Sequence, residues 1–433
     1  MNHIIIIGNG ISGITCARHI RKMSDYKITV ISSESKYFFS RTALMYVYMG
    51  HMRLDDIKPY EDWFWEKNKI DLLHETVTEV SPGNKTVSLA NGSQLYYDKL
   101  VIASGSVSNK FDWPGQDLKG VQGLYSLQDL ELMSEQTKSI KRAVIVGGGL
   151  IGIEMAEMLH SRKIPVTLLV REKHFWDAVL PSEEAEMIAA HIREYKIDLR
   201  QEEELKEIKG NAEGRVSSII TKKGEEIVCD FVGLTVGVSP NINFIKESGL
   251  AFDRGVLINE FLQTSDEDIY AIGDCAQFRV PLEGRKPIEQ VWYTGRMQAE
   301  ALAQTICGNP ITYQPGNWFN SAKFFDIEYQ TYGQVMNKLA DGQLDFYWKH
   351  KDNKKSLRIV YDQHSQVIIG FNVFGIRLRH QVCDRWLIEK KPVNYVIENL
   401  KQSFFDPEFY RSYHKEILQL FNAGKVLNPI IKF

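Results

Sequence analysis

The chain has 433 residues, of which 44% are hydrophobic and 25% charged, with a formal net charge of -3 at pH 7. That length exceeds what one hydrophobic core usually serves and predicts two or three domains, while the near-neutral, slightly acidic balance argues against nucleic-acid binding. The charge is uneven: from Gly316 onward 17 Lys and Arg face 12 Asp and Glu, which reads as a solvated surface or as a docking face for an acidic partner.

The chain opens with Ile4-Ile5-Ile6-Ile7, too short for a membrane span but suited to a strand buried on both faces. Gly8, Gly10 and Gly13 follow in GxGxxG spacing. In a strand-turn-helix unit the first glycine permits the tight turn, the second lets a pyrophosphate approach the backbone, and the third lets the helix pack on the strand. A helix over Ile14 to Met23 and a strand over Lys27 to Ile31 complete the unit. Glu34 stands 21 residues after the last glycine, where an acid accepts hydrogen bonds from a ribose. Arg41 lies alone in the apolar, aromatic run 37–50 and has the fork of donors that suits a phosphate.

Strands are expected at Glu75 to Val80, at Thr86 to Leu89 and, after a two-residue Asn91-Gly92 turn, at Tyr96 to Ile102. The last ends in Ala103-Ser104-Gly105-Ser106, small residues suited to close backbone approach, and Trp113-Pro114-Gly115 reads as a linker turn. A second copy of the opening unit follows: strand 143–146, the glycines Gly147, Gly149 and Gly152 around Leu150 and Ile151, Glu154 in a helix to about His160, and a strand to Val170. Arg171 could meet a 2'-phosphate and Glu172 a ribose hydroxyl, so NAD against NADP stays open.

A hairpin from Val216 to Val228 precedes a strand-like run 231–241 ending in glycine and proline, with Gly237 and Pro240, and Ile269 to Ala276 places Asp274 at a buried strand's end, beside a helix start. A carboxylate there needs a partner, either a cofactor hydroxyl or a water, and an N-cap role is compatible. Glu289 to Cys307 reads as a helix with Trp292 in its first turn. From Trp318 onward, short strand-like runs at 327–332, 344–348, 357–360 and 367–373 give way to helical stretches, an α+β pattern. The five cysteines, at 16, 229, 275, 307 and 383, form no CxxC or CxxxxC pair, which removes a redox dithiol motif and a compact zinc or iron-sulfur site. No apolar run reaches the ~18 residues of a membrane span, and the start lacks a basic leader region, so the cytoplasm is the expected compartment.

Taken together these residues resemble the two-dinucleotide-binding flavoproteins of the pyridine nucleotide-disulfide oxidoreductase superfamily. The resemblance implies an α/β protein with two Rossmann-like domains and a C-terminal α+β domain. It divides the chain into an FAD-binding domain of residues 1–110 and 238–315, an NAD(P)H-binding domain of 111–237 and a C-terminal interface or dimerisation domain of 316–433. It assigns Gly8, Gly10, Ile11, Ser12, Gly13, Glu34, Arg41, Val77, Ala103, Ser104, Gly105, Gly273, Asp274 and Trp292 to FAD, with Asp274 on the ribityl chain. To NAD(P)H it assigns Gly147, Gly149, Leu150, Ile151, Gly152, Glu154, Arg171, Glu172 and Gly237. Arg41 stands where NADH peroxidase-like members carry their redox cysteine. The chain is therefore similar to the ferredoxin and rubredoxin reductase branch, or to the flavin domain of nitrite reductases.

That branch implies an FAD-dependent NAD(P)H oxidoreductase in which hydride passes from NAD(P)H to flavin and electrons pass to an external acceptor, a small acidic redox protein, without disulfide chemistry. A homodimer through the C-terminal domain is implied by the family, and no metal site is expected. The sequence departs from the pattern at Tyr46, in place of a lysine, at Leu150, in place of an aromatic gate, and at Phe319-Asn320-Ser321, in place of Phe-Trp-Ser. Tyr46, Trp292 and Lys323 are candidates for the flavin face, each equally readable as plain packing or surface; His380 reads as an exposed basic residue rather than a catalyst. Two other readings exist. One is a membrane-surface quinone reductase like type II NADH dehydrogenase, anchored by Tyr410 to Phe421 and Val426 to Ile431. The other is a flavin-bearing redox-sensing interaction protein like apoptosis-inducing factor.

Overall fold

The structure is a computed structural model, and it describes residues 2–405, 408, 409 and 411–427. In chain order its principal elements begin with β1 (His3–Ile7), α1 (Ile11–Met23), β2 (Lys27–Ser32), β3 (Ile70–His74), β4 (Lys99–Ile102) and α2 (Leu127–Gln136). The second glycine unit supplies β5 (Ala143–Val146), α3 (Leu150–Ser161), β6 (Val166–Val170), α4 (Ser182–Glu194), β7 (Asp198–Gln201) and β8 (Phe231–Leu234). Then come β9 (Ile269–Ala271) and α5 (Trp292–Ile306), and a C-terminal set of β10 (Phe319–Phe324), β11 (Ile327–Gly333), β12 (Gln343–Lys349), β13 (Ser356–Asp362), β14 (Ile368–Phe374), α6 (His380–Ile388), α7 (Val393–Glu398) and α8 (His414–Leu427). The chain divides into two compact units: residues 1–147, 158–166 and 205–315 form the first, and 148–157, 167–204 and 316–433 the second.

In the first unit β9, β4, β1, β2 and β3 lie side by side in that order, all parallel. Parallel central strands are covered on both faces, which is why β1 is a run of isoleucine: Ile4, Ile5 and Ile6 are fully buried. Each such side chain contributes roughly 1.5–3 kcal/mol of hydrophobic stabilisation. Helix α1 packs on this sheet together with α5, and their approach is close because Gly273 and Gly295 both face the Ser12 hydroxyl, where a Cβ would come within 2.4 Å of Oγ. The chain returns to complete the sheet from 167 residues downstream of β4, so this sheet is discontinuous in sequence. β5 pairs in parallel with β8, which pairs in parallel with the short strand Val121–Gln122.

In the second unit β6 and β7 are parallel neighbours. The C-terminal strands form an antiparallel sheet in the order β10, β11, β14, β13, β12, whose core gathers Trp348, Phe371, Trp386, Val396 and Ile417. The apolar face of α8 is used inward: Ile417 is fully buried, Phe421 packs edge-on to Phe346, and Glu416 accepts a hydrogen bond from the Trp348 indole at 3.1 Å. Tyr410, residues 428–431 and the side chains of 425–427 lie outside the described residues. No helix among the described residues is long and apolar enough to cross a membrane.

Local details differ from expectation in five places, the first being that the run 231–241 forms two strands, Phe231–Leu234 and Val238–Pro240, in different sheets. Leu89 and Ser93 close a three-residue loop around Asn91, with Gly92 at φ +85°, instead of a two-residue turn. The run 96–102 is two strands, since Tyr97 and Asp98 turn the chain from one sheet to another. Asp274 sits in a single 3-10 turn, Gly273–Cys275, that leads into another strand, so it is no helix cap. Strand β10 was not expected, because its Asn, Ser and Lys hide the alternation.

Candidate nucleotide sites

The first glycine turn leaves β1 with Gly8 at φ +110°, a backbone conformation that L side chains rarely adopt; a Cβ there would lie 2.1 Å from the Ala103 carbonyl oxygen. Gly13 is equally constrained, its Cβ direction ending 1.9 Å from the Gly8 carbonyl oxygen. Gly10 is different. Its backbone is extended, nothing lies within 4 Å of where a Cβ would be, and it begins α1 with no side-chain cap. The first N–H groups of α1, including those of Ile11 and Ser12, have no partner within the helix and lie at the positive end of its dipole.

Around this turn the structure gathers most of the residues that the sequence placed together. Ala103 N–H donates to Ile7 O at 2.8 Å, and the Ser104 hydroxyl donates to Asn241 O at 2.6 Å. Gly105 and Gly273 both have positive φ. Glu34 and Arg41 form a bidentate pair at 2.7 and 2.6 Å. Burial works against the Arg41 charge, but the hydrogen bonds and charge of Glu34 outweigh it and raise its pKa. Asp274 accepts from the Ser106 hydroxyl and the Tyr125 phenol, each at 3.2 Å and each on Oδ2. Burial raises its pKa, and those two donors and Arg41 pull it back. Val77 is buried at the start of its strand, and Trp292 is the first residue of α5, edge-on to Tyr293. Tyr46 stacks near His51 in the short helix Leu44–Tyr48.

The second glycine turn repeats the first. Gly147 has φ +117°, and its Cβ direction ends 2.3 Å from the Thr235 carbonyl oxygen, the counterpart of the contact between Gly8 and Ala103. Gly149, like Gly10, faces open space, and Leu150, Ile151, Gly152 and Glu154 run into α3. Burial, reinforced by the charge of Glu157, pushes Glu154 up to about 7. At the end of β6 the side chain of Val170 lies against Gly148, while Arg171 is turned to Glu172 at 2.6 Å. Gly237, at φ +92°, accepts at its carbonyl from Asn109 N–H at 3.1 Å. Lys323 belongs to the second unit and pairs with Glu157 at 3.0 Å. His380 is exposed and its ring meets Phe319 and Tyr332.

The duplication of a turn this constrained decides the family, and the profile of pyridine nucleotide-disulphide oxidoreductases matches residues 2–299. The chain belongs to this family. Among curated relatives of this chain, the assimilatory nitrate reductase electron transfer subunit of Bacillus subtilis is 27% identical over 412 residues, 94% of this chain and 51% of that protein. The NADH-rubredoxin oxidoreductase of Clostridium acetobutylicum is 30% identical over 311 residues, 72% of this chain and 76% of that protein. The chain thus spans about half the length of the first of these relatives. The structure of an NAD-dependent persulfide reductase from A. fulgidus shares the fold with a TM-score of 0.85 at 23% identity, over 99% of this chain and 84% of that one.

None of the five cysteines is exposed. Cys16, Cys229, Cys275 and Cys383 are buried, Cys307 is partly so, and burial raises the pKa of every one of them. Cys275, next to Asp274, is fully buried with its thiol directed at the Ile102 and Ile272 carbonyls. Among the described residues no cluster of His, Cys, Asp and Glu could hold a metal ion. Sequence reasoning missed Tyr125, which no local pattern marks, since it is 84 residues from Arg41 and 149 from Asp274. The Ser106 hydroxyl, read from the sequence only as a small group, accepts from the Gln290 side-chain amide at 2.8 Å.

Proposed function

We propose that this chain is an FAD-dependent NAD(P)H oxidoreductase delivering electrons to a small redox protein of the rubredoxin or ferredoxin kind. The observation that carries the reading is the pair of open glycine turns, at Gly10 and at Gly149, the first of them joined by the Glu34–Arg41 pair and the distant Asp274. FAD supplies the chemistry, accepting hydride from NAD(P)H and releasing electrons to the acceptor.

The protein's part is binding and orientation. The N–H groups at the start of α1 take the pyrophosphate, Glu34 the adenosine ribose and Asp274 a polyol hydroxyl, while Ala103, Ser104 and Gly105 allow close approach. In the second turn, Gly147, Gly149 and Gly152 take the nicotinamide dinucleotide's pyrophosphate, and Glu172 its ribose. Residues 1–110 with 238–315 then serve FAD, 111–237 serve NAD(P)H, and 316–433 form the surface for the acceptor or for a second copy of the chain. The surplus of Lys and Arg after Gly316 suits an acidic acceptor. The relatives, named for rubredoxin reduction and for nitrate reductase electron transfer, support the same class of acceptor. The inward packing of α8 favours this reading over a membrane-surface quinone reductase. A cytoplasmic site of action accords with both.

Anaerobic stopped-flow mixing of the flavin-loaded protein with NADH or NADPH is the test. Loss of flavin absorbance with at least one of them is expected, and an unchanged spectrum with both refutes the hydride step.

A further inference from the structure

The segment Tyr125–Gln128, which opens α2, holds each charged residue of the first nucleotide site. Arg41 Nη1 donates to the Tyr125 carbonyl at 2.7 Å, Leu127 N–H donates to Glu34 Oε1 at 2.8 Å, and Gln128 Nε2 donates to the Glu34 carbonyl at 2.7 Å. The Tyr125 phenol donates to Asp274 Oδ2 at 3.2 Å and accepts from Ser106 N–H at 3.0 Å, and its ring lies under the Arg41 guanidinium at 4.4 Å.

The segment is itself fixed. Asp129 Oδ2 accepts from the N–H groups of Tyr125 and Ser126, both at 2.9 Å, and the Ser126 hydroxyl accepts from Asp129 N–H at 3.1 Å, a reciprocal capping box. Burial raises the phenol's pKa, so it stays a donor through physiological pH. Gly105 gives it room, since a Cβ there would come within 2.9 Å of the hydroxyl. The consequence falls on Asp274. Both of its donors sit on Oδ2, so the carboxylate is locked in rotation while Oδ1 keeps its accepting capacity.

We propose that Tyr125 is a positioning residue of the flavin site and that the segment Tyr125–Gln128 is the clamp retaining the cofactor: the phenol and Ser106 hold one oxygen of Asp274 so that the other meets a hydroxyl of the flavin's polyol chain. This rests on the FAD reading above. The segment binds both Glu34 and Asp274 and so fixes the two carboxylates of the site relative to each other.

The test is the FAD dissociation constant of the full-length apoprotein, with Tyr125→Phe made both in the natural chain and in an Asp274→Asn background. In the natural chain the phenol's loss raises the constant about tenfold, the worth of one hydrogen bond to a charged group. In the Asp274→Asn background the same change has an effect of about twofold or less, because the group it positions is already altered. Ser106→Ala follows the same pattern and serves if Tyr125→Phe fails to fold, and Gln128→Ala speeds FAD release. A packing role would shift the unfolding midpoint of the apoprotein and give equal factors in both backgrounds. Equal factors, or no change in FAD affinity, overturn the clamp. A natural chain that binds no FAD overturns the proposed function instead.

Discussion

Gly8 and Gly10 stand two residues apart, yet replacing each by alanine has opposite expected consequences, and the contrast separates folding from cofactor binding. At Gly8 an alanine meets two penalties. A φ of +110° costs an L-residue roughly 1–3 kcal/mol, and a methyl 2.1 Å from the Ala103 carbonyl oxygen forces β1 and β4 apart. Both contacts are backbone, so no rotamer change relieves them, and the expected loss exceeds about 3 kcal/mol. At Gly10 the backbone is extended and the space is empty. Alanine's poorer N-cap quality and its lower unfolded-state entropy offset each other, leaving apoprotein stability within about 1 kcal/mol of the natural chain. The same methyl, however, fills the place where a pyrophosphate reaches the first turn of α1. Losing one charge-assisted hydrogen bond of roughly 1.5–3 kcal/mol weakens FAD binding about 10- to 100-fold. Urea unfolding of the apoproteins and fluorescence titration with FAD measure the two quantities independently. A Gly10→Ala protein that folds normally and binds FAD within about threefold of the natural chain would refute the assignment of this turn to the cofactor.

Two further outcomes follow from the second unit. Glu154 titrates at about 7 in the folded chain against 4.5 when unfolded, so the folded state holds a proton that the unfolded state releases, and stability falls as pH rises from about 4.5 to 7. Glu154→Gln removes that slope and makes the protein more stable at pH 8, read as a rise in the urea midpoint; an unchanged midpoint at pH 8 counts against the partly buried, proton-holding carboxylate. Arg358 of β13 is buried and ties Glu183 and Glu184 of α4 to the C-terminal sheet, at 2.9 and 3.1 Å, with Asp345 as a third partner. Arg358→Met leaves the fully buried Glu184 without its cation and is expected to cost about 3–5 kcal/mol in chemical denaturation; a loss below about 1 kcal/mol would show that the Asn372 amide, bonded to Glu184 at 2.8 Å, suffices alone.

The features legible in the sequence are those that neighbouring residues decide. Four isoleucines followed by Gly8, Gly10 and Gly13 specify strand, turn and helix because the steric demands act within ten residues, and the copy at Gly147 reproduces the same contact with a following strand's carbonyl. Glu34 was legible because β2 delivers it at a fixed distance from the glycines. The missing cysteine pair was legible by inspection.

What only the tertiary structure decided is which side chains share these sites. Arg41 looked like a free phosphate ligand, yet it is bonded to Glu34 and to the Tyr125 carbonyl, because segments separated by 84 residues pack there. Tyr125 carries no signal in its own neighbourhood, and its contacts with Asp274 and Ser106 exist only once β9 has joined β4. Strand β10 likewise reads as polar until β11 pairs with it. A backbone turn is fixed by local sterics, whereas a hydrogen-bonded network of buried polar groups is fixed by long-range packing. The two glycine turns therefore announced that dinucleotides bind, and the fold alone placed the groups that would hold them.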